Sequence, residues 1–241
     1  MTPPSFSRIS LMLSLMLLVA VGCSSAIPLV PEDPDEPGRL IQSSDDIILL
    51  RGLWNIFSKG MDDIAEDLQQ KGYKAGVFPG NNWKPLARLI IDRSEAGELG
   101  PALVISGHSY GADDAIRLAR ALGEYGVKVD ALVLVDPTFP PKIPTNVEVT
   151  LNIYRSKPST DWMPWLRGVA VEGADPSTRI INRDLRDSPE NAELLEEIDH
   201  FTIEEHPVIQ QMVIDEILAI FNEAESRHAS VGVVDRESQI P

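Results

Sequence analysis

Gly107-His108-Ser109-Tyr110-Gly111 is the stretch whose reading decides the fold. A serine stands midway between two glycines, in the pattern G-x-S-x-G. Such a serine sits on a sharp turn between a strand and a helix, in a strained backbone conformation. A side chain two positions before or after it would collide with the turn, so both places take glycine. The neighbouring sequence supplies the two elements. Pro101-Ala102-Leu103-Val104-Ile105-Ser106 is a short apolar run that reads as a buried parallel strand. After the motif, Ala112, Ala115, Ile116, Ala119 and Leu122 recur at helical spacing, and Gly123 is a stop signal. The hydroxyl is then presented at a helix N-terminus, where the dipole and the unpaired N–H groups favour developing negative charge.

Outward from this centre, strand and helix patterns alternate. Ile47–Leu50 reads as a strand, followed by a loop through Arg51-Gly52-Leu53-Trp54-Asn55. Met61, Ile64, Ala65 and Leu68 mark a helix ending near Gly72, and Tyr73–Phe78 is a second strand. Trp83–Ala96 is a helix carrying Leu86, Leu89 and Ile90 inward. Beyond the motif, strands are expected over Asp130–Val135, Val147–Tyr154 and Thr178–Asn182. Pro207–Phe221 closes the series as an amphipathic helix, with Val208, Met212, Ile214, Ile217 and Leu218 on or near its apolar side. The alternation predicts an α/β fold, a mostly parallel central sheet flanked by helices on both faces.

Residues 47–221 resemble the α/β-hydrolase superfamily, and within it the small thioesterase-like and lipase-like members. The resemblance is carried by the serine motif, an acid at a strand end and a late histidine. It implies a Ser-Asp-His triad with Ser109 as nucleophile, in the chain order serine, acid, histidine. Of the histidines after Ser109, His228 lies near the end of the chain and His206 at the start of the closing helix, where capping or exposure is expected. His200 falls after the last strand and before the last helix, where the superfamily places its base. His108 adjoins the serine but should point to the opposite side of the turn. Two acids compete. Asp136 ends the strand Ala131–Val135, and functional groups collect at the carboxyl ends of such strands. Asp161 follows the next strand in a polar, proline-rich excursion. The strand-end position favours Asp136. Asp199, next to His200 in sequence, reads as surface charge. An oxyanion needs two donors, expected from the N–H groups of Tyr110 and Leu53. Trp54 and Phe57 are either core aromatics or walls of an acyl pocket. The long segment 140–197, with Trp162, Met163, Trp165 and Leu166, is either a lid or a packed wall.

The ends of the chain speak of location. After Arg8, residues 9–21 form an apolar run too short for a comfortable membrane span, ending at Ala20-Val21-Gly22-Cys23-Ser24-Ser25. Small residues before a lone cysteine resemble the lipobox of bacterial lipoproteins. That resemblance implies a signal peptide over 1–22, cleavage before Cys23 and lipidation of its thiol. Ser24 in the next position resembles proteins sent on to the outer membrane. Residues 23–38 read as a tether, stiffened by Pro28, Pro31, Pro34 and Pro37 and solvated by Glu32, Asp33, Asp35 and Glu36. The folded domain is expected over 39–225 and a flexible tail over 226–241.

Cys23 is the only cysteine, so the domain holds no disulfide and no thiolate metal cluster. Acidic residues outnumber basic ones, 37 to 21, and no basic stripe is present to neutralise phosphates. Nucleic acid is excluded as a partner on that ground. The expectation is an enzyme without metal or organic cofactor, a serine esterase, thioesterase or lipase. It acts on a small-molecule or lipid ester by an acyl-enzyme route. Its lipid anchor would place it in the bacterial cell envelope, on the periplasmic face of the outer membrane. Two other readings use the same residues: a non-catalytic envelope lipoprotein that keeps the scaffold as a binding module, and acyl transfer to an alcohol instead of water.

Overall fold

Period-two alternation sets the two faces of the sheet. In β1 (Ile47–Arg51), Ile47 and Leu49 enter one apolar cluster while Ile48 and Leu50 enter another. A strand apolar on both sides belongs in the middle of a covered sheet. The same holds for β3 (Val104–His108) and β4 (Val129–Val135), whose interiors are fully buried. The computed structural model describes residues 46–52, 59–155, 159, 162–163 and 168–237, all within one compact unit, Arg39–Pro241.

With β2 (Ala75–Pro79), β5 (Val147–Tyr154) and β6 (Arg179–Asp184), the strands form a six-stranded sheet in the order β2-β1-β3-β4-β5-β6. Every neighbouring pair is parallel. This is the parallel central sheet flanked by helices expected above. Helices α1 (Lys59–Gln70) and α5 (Pro207–Glu237) pack on one face. Helices α2 (Trp83–Glu95) and α3 (Tyr110–Glu124) pack on the other, and the short α4 (Ala192–Glu197) precedes α5. The chain runs from β1 outward to β2, then crosses back over β1 to β3. The strand order therefore reverses between β1 and β3, and at such a switch point the carboxyl ends of the strands open a crevice.

The expected elements all form, with shifted bounds. The third strand starts at Val104 and runs through His108, because the Leu103 N–H goes to the Asp130 side chain and Val104 is the first whose N–H reaches the neighbouring main chain, at the Asp46 carbonyl. Leu86 and Ile90 of α2 turn inward as expected, joined by Ala87 and Arg93, but Leu89 is only half-buried. Val208 is exposed, not apolar-facing. The buried row of α5 is Ile209, Val213, Ile214, Ile217, Phe221 and Ala224, and Val208 lies one residue, about 100°, off it. The closing helix also continues past Phe221 to Glu237.

Candidate active site

The turn between β3 and α3 has the geometry its glycines require. Ser109 takes φ 57° and ψ −125°, a conformation rare for a residue with a Cβ. Its N–H donates to the Val135 carbonyl at 3.0 Å, tying the turn to the end of β4. A Cβ at Gly107 would stand 2.4 Å from the Gly111 carbonyl oxygen, and one at Gly111 would stand 2.3 Å from that of Leu50. The two glycines thus let α3 begin directly against β1 and β3. Tyr110 is the first residue of α3, so its N–H belongs to the turn whose amides lack intrahelical acceptors.

Three distant segments converge on Ser109. Its Oγ lies 2.8 Å from His200 Nε2. His200 Nδ1 lies 2.6 Å from Asp136 Oδ2. All three side chains are buried. Asp136 is itself held in the left-handed region, φ 51°, directly after β4. A carboxylate accepts only, so His200 Nδ1 carries the proton and Nε2 presents a lone pair to the serine hydroxyl. That arrangement can remove the hydroxyl proton and hold the resulting imidazolium against Asp136.

Supporting groups fix each member. Asp136 Oδ1 accepts the Arg155 N–H at 2.9 Å. The Arg155 guanidinium reaches the other way, donating from Nη2 to the Leu195 carbonyl at 2.8 Å and from Nη1 to the Ile198 carbonyl. One residue thus grips the acid through its main chain and the histidine-bearing segment through its side chain. Gly168 closes the opposite side of the acid, where a Cβ would come within 1.7 Å of Asp136 Oδ1. Asp113, buried in the first turn of α3, accepts from the Thr138 N–H, the Thr138 hydroxyl and the Phe139 N–H, which pins the loop after Asp136. Burial raises its pKa to about 6 against the pull of those donors.

The remaining histidines and acids separate cleanly. His108 is buried beneath the turn, and its Nε2 lies 2.9 Å from the His200 carbonyl oxygen. Burial, then the neighbouring His200, lowers its pKa to about 3, so the ring is neutral. His206 faces away; its Nε2 meets Glu197, and its Nδ1 accepts the Val208 N–H at the start of α5. Asp199 is exposed, as expected, but is more than surface charge. Its Oδ1 accepts from the N–H groups of Phe201 and Thr202, an Asx-type turn that shapes the loop holding His200. In the 140–197 segment, Val169 N–H donates to the Pro137 carbonyl and Val171 N–H to Asn182 Oδ1. That stretch is a packed wall against the acid. Trp162 is 73% exposed. Cys23, Leu53, Trp54, Phe57, Asp161, Trp165 and Leu166 lie outside the described residues. No cluster of His, Cys, Asp or Glu among the described residues is placed to hold a metal ion.

Sequence reasoning missed Arg155, Gly168 and Asp113. Arg155 stands one residue past a strand end, which is a signal of a kind, but its partners are 40 and 43 residues away. Gly168 had no motif around it.

No known family profile matches the chain. No curated protein matches it either. Among solved structures, RedJ, the thioesterase from the prodiginine biosynthetic pathway in Streptomyces coelicolor, is similar at 14% identity and a TM-score of 0.37. That likeness covers 88% of this chain and 95% of RedJ. YbtT, a type II thioesterase from the yersiniabactin pathway, is similar at 14% identity and a TM-score of 0.37, over 75% of this chain and 94% of its own. BorB, a type II thioesterase from the borrelidin cluster, gives 13% and 0.38, over 72% and 93%. At such identities the question of chemistry belongs to the site's own geometry.

Proposed function

We propose that this chain is a serine hydrolase that cleaves a carboxylic ester or thioester through an acyl-enzyme. The observation that carries the reading is the continuous chain Ser109 Oγ, His200 Nε2, His200 Nδ1, Asp136 Oδ2, with contacts of 2.8 and 2.6 Å. Ser109 Oγ attacks the acyl carbon while its proton passes to His200 Nε2. The tetrahedral oxyanion is held by the N–H groups of Tyr110 and Leu53. Its collapse expels the alcohol or thiol, which takes the proton from His200. Water then repeats the sequence on the acyl-enzyme and frees the acid and Ser109. Asp136 keeps the tautomer and steadies the imidazolium.

Residues 1–22 act as a signal peptide and Cys23 as the lipidated anchor, with 23–38 as the tether, on the lipobox-like sequence alone. Beyond the cytoplasm a hydrolase meets few carrier-bound thioesters. That setting favours esters of lipids, acetylated envelope sugars or nutrients.

Fluorophosphonate labelling of the full chain, with the adduct mapped by mass spectrometry, tests the reading. One adduct is expected, on Ser109. It should be absent in Ser109→Ala and much slowed in His200→Ala. A folded wild-type protein that takes no label overturns the catalytic reading.

Arg155 supplies a graded test. Arg155→Met removes the guanidinium yet keeps the N–H on Asp136. Small displacements of a base cost large factors in rate. Labelling of Ser109 is expected to slow by about 10- to 100-fold while far-ultraviolet circular dichroism stays unchanged. An unchanged labelling rate would show that the 195–198 carbonyls need no such clamp.

A further inference from the structure

Phe139 is 45% exposed, an apolar ring left in contact with water. A single exposed phenylalanine is ordinary on a protein surface. The loop that carries this one, however, is held from inside the fold. Asp113, fully buried in the first turn of α3, accepts three hydrogen bonds from it: the Thr138 N–H at 3.2 Å, the Thr138 hydroxyl at 2.9 Å and the Phe139 N–H at 2.9 Å. Thr138 is itself fully buried. The Pro137 carbonyl accepts the Val169 N–H, which ties the same loop to the packed wall beside the acid. The main chain of Phe139 is therefore fixed while its ring stays uncovered. That ring stands beside the ring of Tyr110, with centroids 6.1 Å apart and planes tilted by 39°. Tyr110 directly follows the nucleophile as the first residue of α3. The two rings make a preset apolar surface at the edge of the serine turn.

The proposed chemistry says what meets that surface. The tetrahedral carbon on Ser109 Oγ carries three other groups: the oxyanion, the leaving group and the acyl chain. The oxyanion goes to the Tyr110 N–H. The leaving group must receive its proton from His200 Nε2, so it lies on the side of His200. There Phe201 stands edge-on to the imidazole, with centroids 5.5 Å apart. The acyl chain is directed away from that side. Away from His200, the apolar surface nearest in the chain to Ser109 is the ring of Tyr110, with Phe139 beside it. An acetyl group has only a methyl to offer such a wall. A longer hydrocarbon chain can lie along it and remove the Phe139 ring from water.

We propose that Phe139, backed by Tyr110, is a specificity-determining residue that selects esters of extended hydrocarbon acids over acetyl esters. This rests on the serine-hydrolase reading given above and narrows its substrate class to hydrocarbon acyl esters. Asp113 serves as the positioning residue that holds Phe139 in place. A methylene fully transferred from water to an apolar site is worth about fourfold in kcat/KM, and one covered on a single side about twofold.

The test measures kcat/KM of the full chain for p-nitrophenyl acetate, butyrate and octanoate, each below its solubility limit. The proteins are wild type, Phe139→Ala and Phe139→Leu. Wild type is expected to favour octanoate over acetate by about 60-fold, roughly twofold for each added methylene. Phe139→Ala should cut that ratio by about tenfold, with the loss falling on octanoate, and Phe139→Leu should restore most of it. A merely structural role would slow all three esters alike and leave the ratio unmoved. If Phe139→Ala does not fold, Phe139→Gln, of similar reach but polar, takes its place with the same expected fall. A ratio unchanged in the variant overturns the proposal. So does a wild type that is labelled at Ser109 by fluorophosphonate yet hydrolyses the three esters equally or not at all; the hydrolase reading then survives. A wild type that neither takes the label nor hydrolyses any ester overturns the hydrolase reading, and the role of Phe139 falls with it.

Discussion

Asp136→Asn is expected to slow acylation of Ser109 by about 10³- to 10⁴-fold without unfolding the protein, the size that loss of the correct histidine tautomer costs such a triad. The orientation of the new amide follows from its neighbours. Arg155 N–H donates to Asp136 Oδ1, so the carbonyl oxygen of asparagine turns to Arg155. Its NH₂ group must then face His200 Nδ1, where the carboxylate now sits at 2.6 Å. A donor there forces Nδ1 to accept, moves the ring proton to Nε2 and leaves no lone pair for the serine hydroxyl. The backbone gives no competing explanation, because asparagine tolerates the φ of 51° at this position as well as any residue with a side chain. The measurement is the second-order rate of fluorophosphonate labelling, with circular dichroism as the control. A loss below tenfold would remove Asp136 from the triad and return Asp161 to consideration.

Gly111→Ala should act on the fold itself. Its new Cβ would stand 2.3 Å from the Leu50 carbonyl oxygen and 2.6 Å from that of Arg51. Both are main-chain atoms of β1, which is locked between β2 and β3. Neither can swing aside as a side chain would, so α3 must lift off the sheet that its apolar face covers. A loss of about 3 kcal/mol or more is expected, at the upper end of what overpacking costs. In a chain of this size that lowers Tm by roughly 6–12 °C. Thermal denaturation would read it directly. A Tm within about 2 °C of wild type would mean that β1 yields, contrary to its central place in the ladder.

What could be read beforehand follows the range of the interactions. The Gly107–Gly111 turn, its strand and its helix are local, and their signals lie within about twenty residues. The sheet's faces were legible because alternation in β1 and β4 is a property of adjacent residues. Asp136 and His200 could be singled out by place in the chain order, though their meeting spans 64 residues and only coordinates display it. Asp113 carried no motif: an acid in a helix's first turn reads as a dipole partner, not as the anchor of Thr138 and Phe139, 25 and 26 residues on. Val208 misled because one residue of rotation on a helix moves a side chain from core to solvent.

The sequence distance between the nucleophile and its partner has a consequence for how the protein comes into being. Ser109 and His200 are 91 residues apart, and the loop bearing His200 is fixed by Arg155, Asp199 and the docking of α5. During synthesis Ser109 emerges well before the base proposed for it. Under the proposed mechanism, a nascent or truncated chain lacking the last quarter would carry an unactivated alcohol at that position. On the proposed chemistry, reactivity at Ser109 therefore awaits completion of the fold.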